Sequence, residues 1–201
     1  NIESLVLVPI GTNIKDSNCT LIEVDNPRLS FGKIVTKFFI RKKRKKGIHK
    51  TSVIGKNCKI HKSVSVGINC AIGNGVEIGA NSIINNNVII SDNVVIGEYC
   101  YIKSGAVIGE DGFGFELIKN KPPEKIPQTG SVVIGSFVEI GSNNTVARGT
   151  INNTVIENHV KIDDNVHIGH NCLISKNTII TACVEISGSV IIGKNCWIGP
   201  N

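Results

Sequence analysis

Residues 54 to 72 read Ile54-Gly55-Lys56-Asn57-Cys58-Lys59-Ile60-His61-Lys62-Ser63-Val64-Ser65-Val66-Gly67-Ile68-Asn69-Cys70-Ala71-Ile72. Ile54, Ile60, Val66 and Ile72 fall six apart, and this frame runs on through Ile78, Ile84, Ile90, Ile96, Ile102 and Ile108. It resumes at Ile134, Ile140 and Val146, gains four residues, and continues from Ile156 through Ile162, Ile168, Ile174, Ile180, Ile186 and Ile192 to Ile198. All 21 frame positions are Ile or Val, the next residue is Gly in 11 of them, and the residue four after the aliphatic is usually small or β-branched. A helix needs a period near 3.6 and an isolated amphipathic strand a period of 2, so a strict six means a short strand and a turn, repeated. Three such units close one 18-residue coil, and coils stack about 4.8 Å apart through backbone hydrogen bonds around a narrow aliphatic interior. The fold class expected is mainly β, a parallel β-helix over 51–201, with an extruded loop at 109–133.

Residues 1–40 do not follow the repeat. Asn26 and Pro27 have the look of a helix N-cap and first helical residue, and Leu29, Ile34, Val35, Phe38 and Phe39 supply an apolar stripe. This reads as the end of a small α/β domain, joined to the β-helix by a basic linker at 41–50.

Composition narrows the classes of function. The chain has 201 residues, 41% of them apolar and 19% charged, as in a globular protein. It has no Met, and Cys196 to Asn201 stop partway through a repeat, which reads as a fragment. No stretch approaches the roughly 18 unbroken apolar residues of a membrane span. The net charge of +6 is accounted for by Arg41, Lys42, Lys43, Arg44, Lys45 and Lys46, so the remainder nets to zero. With no aromatic residue interleaved, the run reads as a solvated linker and not as a nucleic-acid site. The seven Cys lack Cys-x-x-Cys spacing, which argues against a disulfide framework and for a reducing, cytoplasmic compartment. Cys58, Cys70, Cys100, Cys172 and Cys196 fall on the second inward position, where packing is the role expected.

Counting three faces per coil, Ile108, Val146, Ile168 and Ile186 begin the same corner in successive coils, provided neither break in the frame hides a repeat. The loop 109–133, the bulge 147–155, His170 and Gly188 then share one edge. Loops gathered on one edge of a solenoid mark its binding face. His170 and Gly188 lie 18 apart and stack as neighbours, a proton acceptor beside a backbone N–H able to hold an oxyanion. An ordinary surface histidine fits the same pattern. A metal site would draw on His49, His61, His159, His167 and His170, of which only the last two share a neighbourhood, so no metal is expected. Cys183 falls on another corner, which argues against a cysteine nucleophile.

Gly109-Glu110-Asp111-Gly112-Phe113-Gly114-Phe115, Lys125-Ile126-Pro127-Gln128, Val138-Glu139-Ile140-Gly141 and Val166-His167-Ile168-Gly169-His170-Asn171 resemble the UDP-3-O-acylglucosamine N-acyltransferases, left-handed β-helix enzymes of lipid A synthesis. Val24-Asp25-Asn26-Pro27-Arg28-Leu29-Ser30-Phe31 resembles the end of that family's uridine-binding domain. The resemblance implies a left-handed β-helix, a homotrimer with sites between prisms, and transfer of a 3-hydroxyacyl group to the 2-amino group of a UDP-3-O-acyl-glucosamine. The donor would be an acyl carrier protein thioester, whose phosphopantetheine is the only prosthetic group involved. It assigns His170 as base, Gly188 as oxyanion donor and Asp163 as an acidic residue near the base. Asp163 lies seven residues before His170, about 23 Å along an extended chain, so it would act from a neighbouring subunit, with Asn171 as the local alternative. Asp111, Phe113, Phe115, Gln128 and Asn171 are the implied substrate contacts, the two Phe either enclosing the donor arm or acyl chain or anchoring the loop. The family usually has Asp-Arg-Gly where this chain has Ala147-Arg148-Gly149. An acetyl-CoA-dependent enzyme for another nucleotide-linked amino sugar is the second reading, and a non-catalytic binding or scaffold β-helix the third.

Overall fold

The computed structural model describes residues 4–14, 19–40 and 46–200, in two compact units, Asn1–Arg44 and Lys45–Asn201. Of the linker expected at 41–50, residues 41–45 lie outside the described residues, while Gly47–Ile48 pairs with Ser65–Val66, so the solenoid begins inside that stretch and before residue 51.

In the first unit, strands Leu5–Pro9 and Thr20–Val24 pair in parallel, and a helix spans Pro27–Phe38. Asn26 stays extended and its Oδ1 accepts the Leu29 N–H at 2.9 Å, so the chain enters the helix with one otherwise orphaned donor satisfied.

The second unit is a parallel β-solenoid with three sheets of seven, seven and eight strands. The first sheet carries the strands that end at Ile54, Ile72, Ile90, Ile108, Val146, Ile168 and Ile186, the second those ending at Ile60, Ile78, Ile96, Ile134, Ile156, Ile174 and Ile192. The third runs from Ile48 through Val66, Ile84, Ile102, Ile140, Ile162 and Ile180 to Ile198. The count of faces from the sequence is therefore right across both breaks: Ile108 pairs with Val146, and Val146 with Ile168. Frame residues such as Ile84, Ile102, Ile140 and Ile174 are buried to 1% exposure or less.

Glycine follows the aliphatic because consecutive corners nearly touch there. A Cβ on Gly79 would lie 2.6 Å from the Gly97 carbonyl carbon, and one on Gly97 as close to that of Gly135. Two residues further on, most corners pass through the left-handed region, as at Asn87, Asn93, Asn143, Asn165 and Asn171, the conformation Asn tolerates best after Gly. Tyr99, Phe137 and His159 take that conformation in one column. Stacking of their rings, at 5.0 and 4.8 Å between centroids, offsets the backbone cost of bulky residues in this region.

The second inward position does more than pack. The thiols of Cys70, Cys100 and Cys172 donate to the carbonyls of Asn85, Gly135 and Ser187 at 2.8, 3.0 and 3.1 Å. Ser82 replaces Cys in this role, donating to Gly97 at 2.8 Å and accepting the Cys100 N–H at 3.0 Å. Thr178 does the same for Gly193 and Cys196. A small donor side chain here meets a corner carbonyl that the strand ladder leaves unpaired, whereas other coils carry an apolar residue at the same position, as at Val64, Val76 and Val88.

Ser82→Ala is expected to cost about 1–3 kcal/mol, because both partners of the hydroxyl stay buried, whereas Ser82→Thr should cost under about 1 kcal/mol; urea unfolding of the two variants measures this. Asp164 accepts the Ser142 N–H at 2.6 Å and an ion pair from Lys103 at 3.4 Å, and that backbone hydrogen bond chiefly holds its carboxyl below the usual range. A depressed carboxylate stabilises the fold above its unfolded pKa of about 4 and loses that contribution as pH falls through the folded value. Asp164→Asn should therefore flatten the loss of stability below about pH 4, read from melting temperature against pH.

Candidate active site

The corner that follows the first sheet gathers every departure from regularity. Two residues after each frame position, Asp92, Glu110, Arg148, His170 and Gly188 follow one another up this edge. Backbone hydrogen bonds lock the column: Arg148 N–H donates to Glu110 at 2.9 Å and Ser189 N–H to the His170 carbonyl at 2.7 Å.

His170 is half-buried between two glycines. A Cβ on Gly188 would lie 2.5 Å from its Nε2, and one on Gly112, in the loop, 3.0 Å from its Cβ. Glycine at both positions leaves room for the imidazole. The Gly188 N–H makes no hydrogen bond among the described residues, and a Cβ at Gly169 would press on its nitrogen at 2.6 Å. The amide thus stays unpartnered beside a ring nitrogen, the pairing a proton transfer with oxyanion stabilisation requires.

The other ring nitrogen is engaged. His170 Nδ1 is 3.0 Å from Asn171 Oδ1. Asn171 is itself held by the bulge: its Oδ1 accepts the Thr150 N–H at 3.0 Å, its Nδ2 donates to Asn152 at 3.2 Å, and its backbone N–H donates to Thr154 Oγ1 at 2.9 Å. Every polar group of that carboxamide has a partner inside the chain. Asp163 stands elsewhere, exposed at the end of its third-sheet strand, and does not share the corner of His170.

The loop 109–133 is partly ordered by a short antiparallel pair, Phe115–Glu116 with Glu124–Lys125. Asp111 bridges its two arms through Lys125 at 2.5 Å and lies 4.0 Å from Arg148 Nε. Gln128 is buried, accepting from Thr150 Oγ1 at 3.0 Å and donating to Ile126 at 3.2 Å, so its amide ties loop to bulge. Phe113 and Phe115 pack on each other at 5.0 Å with Phe113 90% exposed; Phe113 therefore does not anchor the loop.

Arg148 is the participant that sequence reasoning passed over. Its Nε donates to the Gly109 carbonyl at 2.6 Å, clamping the start of the loop in the coil directly before His170. It lines a groove of about 430 Å³ with Val53, Ala71, Ile89, Asp92, Glu110 and Asp111. The backbone and side-chain amides of Asn74 hold the Asp92 carboxyl below the usual range, so this end of the groove is negatively charged beside the guanidinium. The signal of Arg148 in the sequence is its place two residues after Val146, in the same column as Glu110, His170 and Gly188. Among the described residues no group of three or more His, Cys, Asp or Glu is placed to hold a metal ion. His167 pairs with Thr145 Oγ1 at 2.7 Å.

Comparison with known proteins bears on the repeat and the fold. The bacterial transferase hexapeptide family (six repeats) matches residues 75–110 and 153–188, and the hexapeptide repeat of succinyl-transferase matches 48–78. UDP-3-O-acylglucosamine N-acyltransferase of Leptospira biflexa is 52% identical over 64 residues, 32% of this chain and 18% of that protein. That of Dechloromonas aromatica is 55% identical over the same length and shares. These matches span less than a fifth of the relatives' own length. Among solved structures, UDP-N-acetylglucosamine O-acyltransferase from Moraxella catarrhalis superposes with a TM-score of 0.67 at 30% identity, over 76% of this chain and 58% of that one. The Francisella novicida UDP-N-acetylglucosamine acyltransferase gives 0.57 at 30% identity, over 76% and 58%. The solenoid is thus the left-handed β-helix of these proteins, against the right-handed rule for parallel crossovers.

Gly188→Ala should displace the imidazole without unfolding the solenoid. Ring-proton NMR shifts of His170 with an unchanged far-UV circular dichroism spectrum are expected; an unmoved ring would contradict the packing described.

Proposed function

We propose that this chain, which belongs to the hexapeptide-repeat acyltransferases, carries the transfer site of an N-acyltransferase acting on a UDP-linked amino sugar. The observation that carries the reading is the unpartnered Gly188 N–H beside His170 Nε2. In the reaction the sugar's 2-amino group attacks the thioester carbonyl of the donor, and His170 Nε2 takes the amine proton as the C–N bond forms. The Gly188 N–H holds the oxyanion of the tetrahedral intermediate. That intermediate collapses with loss of the thiolate, which receives the proton from the imidazolium, leaving an amide and a free thiol.

The finer assignment is a 3-hydroxyacyl group moved from acyl carrier protein to UDP-3-O-acyl-glucosamine in lipid A synthesis, with phosphopantetheine on the donor and no cofactor on this chain. Its support is the chemistry in the names of the relatives, the motifs around Gly112 and His170, and the exposed pair Phe113 and Phe115 in the loop whose Gly112 meets the His170 ring. In the first unit, a cavity along the helix Pro27–Phe38 is lined by Arg28, Lys33 and Lys37, a charge suited to a nucleotide diphosphate. Homotrimer formation is supported by the outer face of the second sheet, where Val95, Val133, Val155, Leu173 and Ile191 form an apolar stripe, with Ile191 74% exposed. Asp163, which stands away from the corner of its own protomer, would contribute across that interface. The compartment proposed is the cytoplasm; no helix of the described residues is long and apolar enough to cross a membrane.

Incubating the whole protein with acyl carrier protein and CoA thioesters side by side tests the donor, with product expected from the carrier protein thioester; product from acetyl-CoA alone would move the assignment to the second reading. His170→Ala should lower kcat by about 10²–10⁴-fold, the contribution of a general base. Turnover surviving within a few-fold would remove His170 from the mechanism.

A further inference from the structure

We infer that Asn171 is a positioning residue that fixes His170 in the tautomer with the proton on Nδ1, and that the bulge after Val146 is the device that holds Asn171 in place. The argument turns on which atom of the carboxamide faces the ring. A backbone N–H can only donate and a backbone carbonyl can only accept. The Thr150 N–H, 3.0 Å from one terminal atom of Asn171, and the Asn152 carbonyl, 3.2 Å from the other, therefore fix the first as oxygen and the second as nitrogen. His170 Nδ1 lies 3.0 Å from that same oxygen, which has no hydrogen to give. A ring nitrogen facing an oxygen that only accepts must carry the proton itself, so the lone pair of a neutral imidazole is left on Nε2. Nε2 is the nitrogen that faces Gly188.

The four inserted residues acquire a purpose on this account. A regular corner supplies neither the Thr150 N–H nor the Asn152 carbonyl at this height, and Thr154 Oγ1, at the bulge's exit, accepts the Asn171 backbone N–H at 2.9 Å. Asn171 is also the left-handed residue of its corner, with φ of 59°, so turn geometry and ring orientation are set by one side chain. When Nε2 gains a proton, the Nδ1–H···O bond persists. The Nδ2 of Asn171 uses one N–H on the Asn152 carbonyl, which leaves the other as the only donor that the side chain could offer a substrate.

The catalytic consequence rests on the reading of His170 as the base, but the tautomer does not, and two measurements separate them. In the ¹⁵N-labelled whole protein at a pH where the ring is neutral, long-range ¹H–¹⁵N correlation, assigned by comparison with His170→Ala, reports which nitrogen is protonated. A protonated Nδ1 and a bare Nε2 are expected; the opposite pattern, or a rapidly exchanging mixture, overturns the inference. Asn171→Leu should convert the ring to a mixture of tautomers and lower kcat by roughly 10- to 100-fold, part of what a general base supplies, with KM changed less than about threefold. An unchanged tautomer in that variant also overturns the inference, and the wild-type spectrum decides it even where Asn171→Leu does not fold. Turnover that persists in His170→Ala sinks the base reading and leaves the tautomer standing.

Discussion

Hydrogen bonding from coil to coil is the constraint on which everything else in the solenoid depends. Each two-residue strand is far too short to be stable alone, and it holds only because its N–H and carbonyl groups meet those of the coils on either side. The N–H groups of Val107 and Gly109, for example, reach the carbonyls of Asn144 and Val146 across the whole loop. Such a ladder tolerates no slip, since a shift of one residue would turn the aliphatic frame outward. Extra residues are accommodated only at corners, where they leave the strand pairing untouched.

The same constraint makes the corners demanding. Side chains at fixed offsets are stacked on one another, so a corner carbonyl left out of the ladder comes within reach of the side chain at the second inward position. Cysteine thiols, Ser82 and Thr178 answer that need in different coils, and Asn144 does so from the same position, its Nδ2 donating to the Asp163 carbonyl at 2.8 Å and its Oδ1 accepting the Val166 N–H at 2.6 Å. The described residues contain no buried side-chain N or O without a partner. The interior is narrow, but it is not a purely apolar tube.

The candidate site is built from departures at a single corner. The loop 109–133 brings Gly112 against one side of the His170 ring, the next coil brings Gly188 against another, and the bulge engages Asn171. The hydrogen bonds of Arg148 and Gln128 go to Gly109, Thr150 and Ile126. They fasten the loop and the bulge to the prism, so that the glycine contacts on the ring are rigid. Such division of labour, with orienting groups fastened by their own hydrogen bonds, is how a site on loops acquires the precision of one on regular elements.

The chain's own pattern determined the period of six, the inward Ile and Val, the assignment of each strand to a face and the stacking of position 170 beneath 188, because a repeat of fixed length maps sequence distance directly onto height along the axis. It also showed that Asp163 belongs to another edge. It did not show the hydrogen bonds made by the inward cysteines, the three-ring stack of Tyr99, Phe137 and His159, the clamp formed by Arg148, or the fact that Asn171 and Gln128 are spent on holding the bulge and the loop. Those depend on where irregular backbone travels once it leaves the frame, and on residues 22 or 38 positions apart brought to adjacent heights. No local propensity encodes that path; only the closed tertiary structure, in which every corner group must find a partner, decides it.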